Sequence, residues 1–311
     1  MALNIEQIMA ASYEEVVDSN PANQWEESAA LHEAQRNGTI EKRDFGPTIE
    51  VPLDYRANPD TAVLASDQDE SALLNTEILT AASYTPGMFD VTVTWTKAEE
   101  MKNPARNQKV DLVKAKLTNA LASHDDLVEQ LFFVSSSAGG DEIFGLDTIV
   151  PTSGSGTVGG INAAVETWWQ NYSGTYVDET DIEAALTTAF LEISKGSGSS
   201  LSPTWLLSGA APFALFESTQ QPLQRWTDGK EADAGFKTLK FKGMNYVFSQ
   251  YGGSNIYLLN PKNFKLYVSK QYYRDKSDTY PVTGQNAWYF KIFSGLQFAT
   301  SNKSRLGVVH L

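Results

Sequence analysis

Alternating hydrophobic and polar residues predict two strands in the first third of the chain. In TIEVPLDY (48–55), every second side chain from Ile49 to Tyr55 falls on one hydrophobic side, and FDVTVTWT (89–96) repeats the pattern. The residues between them have weak periodicity, and a structureless loop of that length is unusual inside a compact domain. The spacing therefore predicts a long hairpin arm, residues 56–88, that projects from the body.

Hydrophobic residues spaced by three, four or seven positions predict the longest helix at 104–132. Asn103 is a favourable N-cap, and Pro104 suits the first helical position. At about 1.5 Å per residue this helix would be about 43 Å long. Related patterns predict shorter helices at 4–17, 161–172, 178–196 and 211–226.

The remaining segments are a polar stretch, a Gly/Ser-rich connection that crosses between domains (called the crossing), and a second group of strands. Residues 18–44 contain few aliphatic side chains, which suits an arm that folds against a neighbouring molecule. Residues 151–160 form the crossing. Buried or alternating strands are predicted at 203–209, 236–250, 254–270, 286–300 and 305–311. This order indicates an α+β chain whose last strands return to its first domain.

Composition excludes several classes of protein. The 311 residues carry 24 basic and 38 acidic side chains, a net charge of −14, which argues against a protein that reads DNA through a basic face. The chain has no cysteine, so disulfides and thiolate chemistry are excluded. Glu6, Glu14 and Glu15 interrupt the hydrophobic run that a secretory signal would need, and no run of apolar residues is long enough to span a membrane.

Four passages, in order, resemble the major capsid proteins of tailed bacteriophages with the Hong Kong 97-like fold. They are IEVPLDYRAN, MKNPARNQKVDLVKAKL, FGLDTIVPTSGSGTVGGINAAVETWWQNY and GFKTLKFKGMNYVFSQYGGSNIYLLNPKNFKLYV. The third is the most specific, with its VGGI turn and Trp-Trp-x-Asn ending. The resemblance extends from about residue 46 to the end of the chain.

The resemblance implies a fold and a division of the chain. Residues 1–45 would be an N-terminal arm and 46–97 an extended β-hairpin loop. Residues 98–154 and 270–311 would form a peripheral domain containing the spine helix, and 155–269 an axial domain. The implied function is structural: copies of the chain would assemble into hexamers and pentamers of an icosahedral shell that encloses double-stranded DNA, in a virion built in the host cytoplasm.

Two departures limit what the resemblance implies about chemistry. The founding member cross-links an extended-loop lysine to a neighbour's asparagine, but residues 48–94 contain no lysine. We therefore carry over no catalytic, cofactor-binding or metal-binding residue and expect no enzyme activity. Only about 45 residues precede the hairpin, so scaffolding is expected from a separate protein, with a portal and a decoration protein among the partners that the resemblance allows.

Two alternatives remain open at this point. An encapsulin-type nanocompartment shares the fold but encloses enzymes. A nucleotide-binding enzyme is the more remote alternative, because Gly154–Gly159 matches the G-x-G-x-x-G fingerprint and Asp178 lies where a ribose-binding acid would stand. The second strand that such a unit needs is missing before Asp178, so a flexible crossing is the preferred interpretation.

Other candidates for chemistry have simpler explanations. None of His32, His124 and His310 has metal-ligand spacing with another histidine, and His124, beside Asp125 and Asp126, is expected to be exposed. Asp67, Asp69 and Glu70 resemble part of a calcium loop, but Ala72 stands where glycine is required. We interpret this acidic group as a solvated tip of the arm.

Charge and aromatic residues supply the candidate assembly contacts. Residues 48–94 hold eight acidic side chains against Arg56, and residues 230–276 hold nine basic side chains against three acidic ones. We hypothesise that the acidic arm of one copy lies on a basic surface of its neighbour, with charge fixing the register. Of the adjacent tryptophans, one is expected in the core and the other at an interface. The candidate contacts are Arg56, Asp67, Asp69, Glu70, Trp168, Trp169, Lys237, Lys240 and Lys242.

Overall fold

The computed structural model describes residues 28–57, 61, 77–102, 106–134, 143–196, 202–220 and 239–311. Within these ranges the helices are α1 (Ala29–Arg36), α2 (Lys97–Lys102), α3 (Arg106–Phe133), α4 (Leu146–Ile149), α5 (Ile182–Ser194) and α6 (Ala210–Gln220). Two short 3-10 turns lie at Thr167–Trp169 and Lys303–Arg305.

The strands of the same ranges form two larger sheets and two hairpins. They are β1 (Ile40–Arg43), β2 (Ile49–Asp54), β3 (Leu79–Tyr84), β4 (Gly87–Thr96), β5 (Thr157–Val158), β6 (Ile161–Asn162), β7 (Tyr172–Thr175), β8 (Trp205–Ser208), β9 (Leu239–Phe241), β10 (Met244–Phe248), β11 (Ile256–Leu259), β12 (Phe264–Lys276), β13 (Tyr280–Pro281), β14 (Ala287–Thr300) and β15 (Gly307–His310). The mixture of separate sheets and helices confirms the α+β class.

The first sheet lies against the long helix. Strand β14 pairs antiparallel with β4 over ten residues, and β12, β13 and β1 complete five strands. Helix α3 packs on one face, where Leu117 and Leu121 meet Phe290 and Ile292 in a buried cluster. The long helix predicted at 104–132 is therefore confirmed, although Asn103 and Pro104 lie outside the described residues.

The second sheet has six strands in the order β7-β15-β11-β8-β10-β9. All four residues of β8 and of β11 are buried, because these strands lie in the middle of the sheet. Strand β15 also belongs here, pairing with β11 and β7. Residues 307–310 thus pair with strands from 155–269, whereas the predicted domain boundaries assigned them to the other domain.

The polar segment before residue 45 is folded where the structure describes it, contrary to the prediction that all of 18–44 folds against a neighbour. Ala30, Leu31 and Ala34 of α1 are fully buried, and α1 packs on α3 and β10. Strand β1 pairs in parallel with β12. Glu33 on the same helix is also buried, at 2% exposure. Its carboxylate accepts a hydrogen bond from the Asn245 side-chain amide at 2.9 Å, so this polar group has a partner in the interior.

The predicted helix at 161–172 is wrong. The segment forms β6, a turn, the 3-10 turn at 167–169 and the start of β7. The Asn162 side chain accepts a hydrogen bond from the Ala164 N–H at 2.9 Å, a local turn that competes with a helix. The other predicted helices and strands are confirmed where they fall on described residues, and the helix predicted at 4–17 lies outside them.

Candidate assembly surface

The hairpin of β2 and β3 has one hydrophobic side and one polar side. Its register runs from Ile49 opposite Tyr84 to Asp54 opposite Leu79. Ile49, Val51 and Leu53 are buried, while the alternate side chains of β2 are exposed. The alternation predicted for residues 48–55 is confirmed where β2 is described. Side chains of a strand alternate between its two faces, so a hydrophobic residue at every second position places all of them on the buried face.

The end of this hairpin nearest the sheets is anchored by Tyr84. Its side chain is fully buried, and its hydroxyl donates to the Thr300 carbonyl at 2.9 Å and accepts from the Thr300 N–H at 3.2 Å. Burial raises the pKa of Tyr84, so the phenol stays neutral. Residues 84–88 therefore lie on their own body, and the prediction that all of 56–88 projects is too long.

The far end of the hairpin is held by Tyr55. Its N–H donates to the Ile78 carbonyl at 3.2 Å, and its hydroxyl donates to the Glu77 carbonyl at 3.1 Å. The ring of Tyr55 also lies 5.2 Å from the ring of Trp168. The described pairing across the hairpin ends with these bonds of Tyr55 to Ile78 and Glu77.

The segment beneath the hairpin, residues 154–171, is called the support loop below. Its Gly159 carbonyl accepts a hydrogen bond from the Ser83 N–H at 3.0 Å. Gly159 has φ +60, and a Cβ there would come within 2.7 Å of the Ala82 Cβ and 3.1 Å of the Tyr84 ring. Only glycine allows both the left-handed backbone and this close approach. Trp169 fixes the loop from inside, donating its ring N–H to the Val158 carbonyl at 3.1 Å.

The structure brings some of the predicted contact residues together and separates others. Arg56 is exposed directly after Tyr55, and the half-buried Trp168 touches Tyr55, so these two lie at the same place. Trp169 is 1% exposed, which places it in the core. Lys240 on β9 and Lys242 in the turn after it are exposed. They lie at one edge of the six-stranded sheet, and β7 is the opposite edge, about 24 Å away across five strand spacings. Asp67, Asp69, Glu70 and Lys237 lie outside the described residues.

Several described basic residues of 230–276 have partners within the chain. Arg274 pairs with Asp125, Lys270 lies 3.6 Å from Asp44, and Lys265 donates to the Gly38 carbonyl at 2.9 Å. Lys242 lies over the rings of Phe190 and Phe241. Because these charges already have partners within the chain, they are less available to bind the acidic arm of a neighbouring copy. The hypothesis of a basic surface that binds this arm stays a prediction.

His124 is buried, contrary to the prediction that it is exposed. Its Nδ1 lies 3.0 Å from the Asp125 carboxylate and its Nε2 lies 2.7 Å from the Ser294 hydroxyl. Asp125 also binds the Arg274 guanidinium, so the group joins α3, β12 and β14. Burial lowers the pKa of His124, and the nearby Arg274 lowers it further, while Asp125 partly opposes both.

The G-x-G-x-x-G match has the wrong structural context for a nucleotide. A dinucleotide fingerprint opens a helix whose N-terminus faces the phosphates, whereas Gly154–Gly159 leads into the β5–β6 hairpin. Asp178 accepts hydrogen bonds from the Thr180 N–H and hydroxyl before α5. The nucleotide-binding alternative therefore loses the observation on which it rested.

Within the described residues, no three His, Cys, Asp or Glu side chains gather closely enough to hold a metal ion. Nor does any described helix have the length and hydropathy needed to cross a membrane.

Comparison with solved structures identifies the fold. The capsid protein of cyanophage A-1(L) aligns with a TM-score of 0.60 at 16% identity, covering 89% of this chain and 92% of that chain. The capsid protein of a native GTA particle aligns with a TM-score of 0.59 at 12% identity, covering 89% of each chain. The SrpI encapsulin of Synechococcus elongatus aligns with a TM-score of 0.55 at 9% identity, covering 87% of this chain and 84% of that one.

No protein-family model and no curated protein sequence matches the chain. The fold is nevertheless the Hong Kong 97-like capsid fold, because the alignments extend over nearly the whole of both chains and the solved neighbours are mostly phage capsid proteins. The fold expected from the four sequence passages is thus confirmed. At these identities the alignments establish the fold alone.

Proposed function

We propose that the chain is the major capsid protein of a tailed bacteriophage, a structural protein that assembles with copies of itself into the icosahedral shell around double-stranded DNA. The observation that carries this proposal is the alignment with several phage capsid chains over about nine-tenths of both partners. Neighbouring chains with this fold are shell subunits, and we assign the chain no enzyme activity.

The geometry of the hairpin supports self-assembly. Its base is bound to the chain's own core by Tyr84 and Gly159, and we propose that residues 58–76, between the two sides of its far end, contact another copy. A contact made by each subunit to the next need not be strong on its own. Closure of a symmetric shell makes the contacts multivalent, so weak contacts give a stable particle.

The domains and partners follow from the same proposal. The five-stranded sheet with α3 corresponds to the peripheral domain, and the six-stranded sheet with α5 and α6 corresponds to the axial domain around the symmetry axes. A net charge of −14 suits a wall that encloses DNA without binding it tightly. Separate scaffolding and portal proteins, a decoration protein and assembly in the host cytoplasm complete the proposal.

An encapsulin-type nanocompartment is the second candidate, because an encapsulin shares the fold over most of this chain. Particles isolated from the native producer distinguish the two. The phage proposal predicts double-stranded DNA that nuclease cannot reach until the shell is opened. The alternative predicts an enclosed enzyme and no genome.

Removal of the arm tip tests the role of the hairpin. Residues 58–76 would be replaced by a short Gly-Ser linker, which leaves Tyr55, Glu77 and the base of the hairpin in place. We expect the variant to fold but to form no closed shells by negative-stain electron microscopy. A control that permutes residues 197–200 from SGSS to SSGS keeps the length and composition of a segment elsewhere in the chain and should assemble normally. Normal shells from the tip-deleted variant would contradict the proposed role of the arm.

A further inference from the structure

The hairpin touches the support loop at two separated points, which lie at opposite ends of β3. Near one end, the Ser83 N–H binds the Gly159 carbonyl at 3.0 Å. Near the other, the Tyr55 and Trp168 rings meet at 5.2 Å. The buried side chains of β2 and Tyr84 hold the inner part of the hairpin on the body, and the Tyr55–Trp168 contact holds its outer end.

The support loop is itself rigidly held, so it can serve as a reference for that direction. Trp169 is buried and bound to the Val158 carbonyl, and the Ala163 N–H binds the Gly156 carbonyl at 3.1 Å. The Gln170 amide also donates to the Ala163 carbonyl at 2.9 Å. These bonds hold the loop independently of the hairpin.

Trp168 has a different environment from Trp169. It is only half-buried, its ring N–H donates to Glu166 at 2.6 Å, and its ring lies 5.2 Å from that of Tyr55 and 5.4 Å from that of Trp169. Glu166 fixes the orientation of the indole, and the buried neighbour fixes its position. A tryptophan that served only the core would be fully buried, as Trp169 is. Trp168 instead contacts Trp169 on the body and Tyr55 on the hairpin.

We infer that Trp168 is a positioning residue that sets the direction in which the arm leaves the body, by holding Tyr55 at the last paired position before the tip. The inference rests on the proposed function, because the arm's direction matters only if the tip meets another copy. Tyr55 is suited to this role because its hydroxyl and N–H also fix the opposite strand at Glu77 and Ile78. Tyr55 therefore connects both sides of the hairpin's outer end to Trp168.

The test measures the direction of the arm in the unassembled chain. Because the sequence has no cysteine, spin labels can be placed at Leu79→Cys on the arm and Met101→Cys on α2, which are 68% and 77% exposed. Electron–electron resonance then gives the distribution of distances between them. We expect a narrow distribution in the parent, a broad one in Trp168→Ala and in Tyr55→Ala, and a narrow one again in Trp168→Phe, which retains the ring contact.

Assembly provides the second readout. Loss of one aromatic contact corresponds to about a two- to tenfold change in an equilibrium constant, so Trp168→Ala should raise the concentration at which shells first form by about that factor. Tyr289→Ala is the matched control, because Tyr289 is also half-buried in an aromatic pair, with its ring 5.9 Å from that of Tyr280, but lies on β14. It should lower thermal stability without broadening the distance distribution.

The outcomes separate this inference from the proposed function. A distribution in Trp168→Ala as narrow as in the parent overturns the positioning role, and so does equal broadening in Tyr289→Ala. Tyr55→Ala removes the same contact from the arm side and decides the question if Trp168→Ala fails to fold. A parent chain that forms no shells contradicts the proposed function instead, while its distance distributions still decide whether Trp168 orients the arm.

Discussion

Lys303 is a buried charge whose removal should stabilise the protein. Its side chain is fully buried, and its Nζ has no hydrogen-bond partner among the described residues. Burial lowers the pKa of Lys303 from 10.5 to about 8. At about 1.4 kcal/mol per pKa unit, the charged amine costs the folded state roughly 3 kcal/mol. Methionine keeps most of the volume and removes the charge.

We therefore expect Lys303→Met to raise the free energy of unfolding by about 1–3 kcal/mol at pH 7, with the lower end allowing for local relaxation around the amine. Urea denaturation followed by tryptophan fluorescence measures this. The gain should also depend on pH in a defined direction. The folded-state pKa lies below the unfolded one, so between about pH 8 and 10.5 only the unfolded chain holds the proton. The parent becomes more stable with rising pH in that window, and the advantage of methionine shrinks.

Lys262→Met is the matched control, because Lys262 is exposed and its substitution should change stability by less than about 0.5 kcal/mol. A Lys303→Met variant that is less stable than the parent at pH 7, or whose advantage does not shrink above pH 8, would refute the reasoning. Such a result would mean that the amine has a partner in the folded protein.

Three further predictions concern other buried contacts. Because the pKa of His124 is lowered in the folded state, stability should fall as pH falls through 6.5, and His124→Gln should flatten that dependence in thermal unfolding between pH 5 and 8; parallel curves for parent and variant would contradict it. Tyr84→Phe, which loses the hydroxyl bonds to Thr300, should cost about 1 kcal/mol in urea denaturation, and an unchanged midpoint would exclude the anchor. Glu129→Ala removes the acceptor of the Ser28 and Ser249 hydroxyls and should cost about 2 kcal/mol while speeding hydrogen exchange in α1; unchanged exchange there would show that the bond does not hold α1.

Elements with a strong local pattern could be predicted from the sequence. In β2, alternation reports burial directly, since Ile49, Val51 and Leu53 face the core and their neighbours face water. The long helix could be predicted because its hydrophobic spacing continues over many turns. The strand β3 was missed because its burial is carried by only Ala82 and Tyr84, and alanine gives a weak hydrophobic signal.

Features that depend on distant partners could not be predicted. His124 stands beside two aspartates, which suggests an exposed site, but its burial is determined by Ser294 and Arg274, far away in the sequence. The segment 161–172 has helix-like spacing, yet the Asn162 turn and the tight approach of Gly159 to the hairpin prevent a helix. Trp168 and Trp169 were both candidate contacts, and only the contact of Trp168 with Tyr55 and the burial of Trp169 distinguish them.

Direct imaging of the purified chain tests the central claim most simply. Cryo-electron microscopy of the protein at increasing concentration should show closed icosahedral shells of hexamers and pentamers, in which residues 58–76 of each subunit contact a neighbouring copy. A chain that stays monomeric at high concentration, or shells in which those residues contact only their own subunit, would contradict the account.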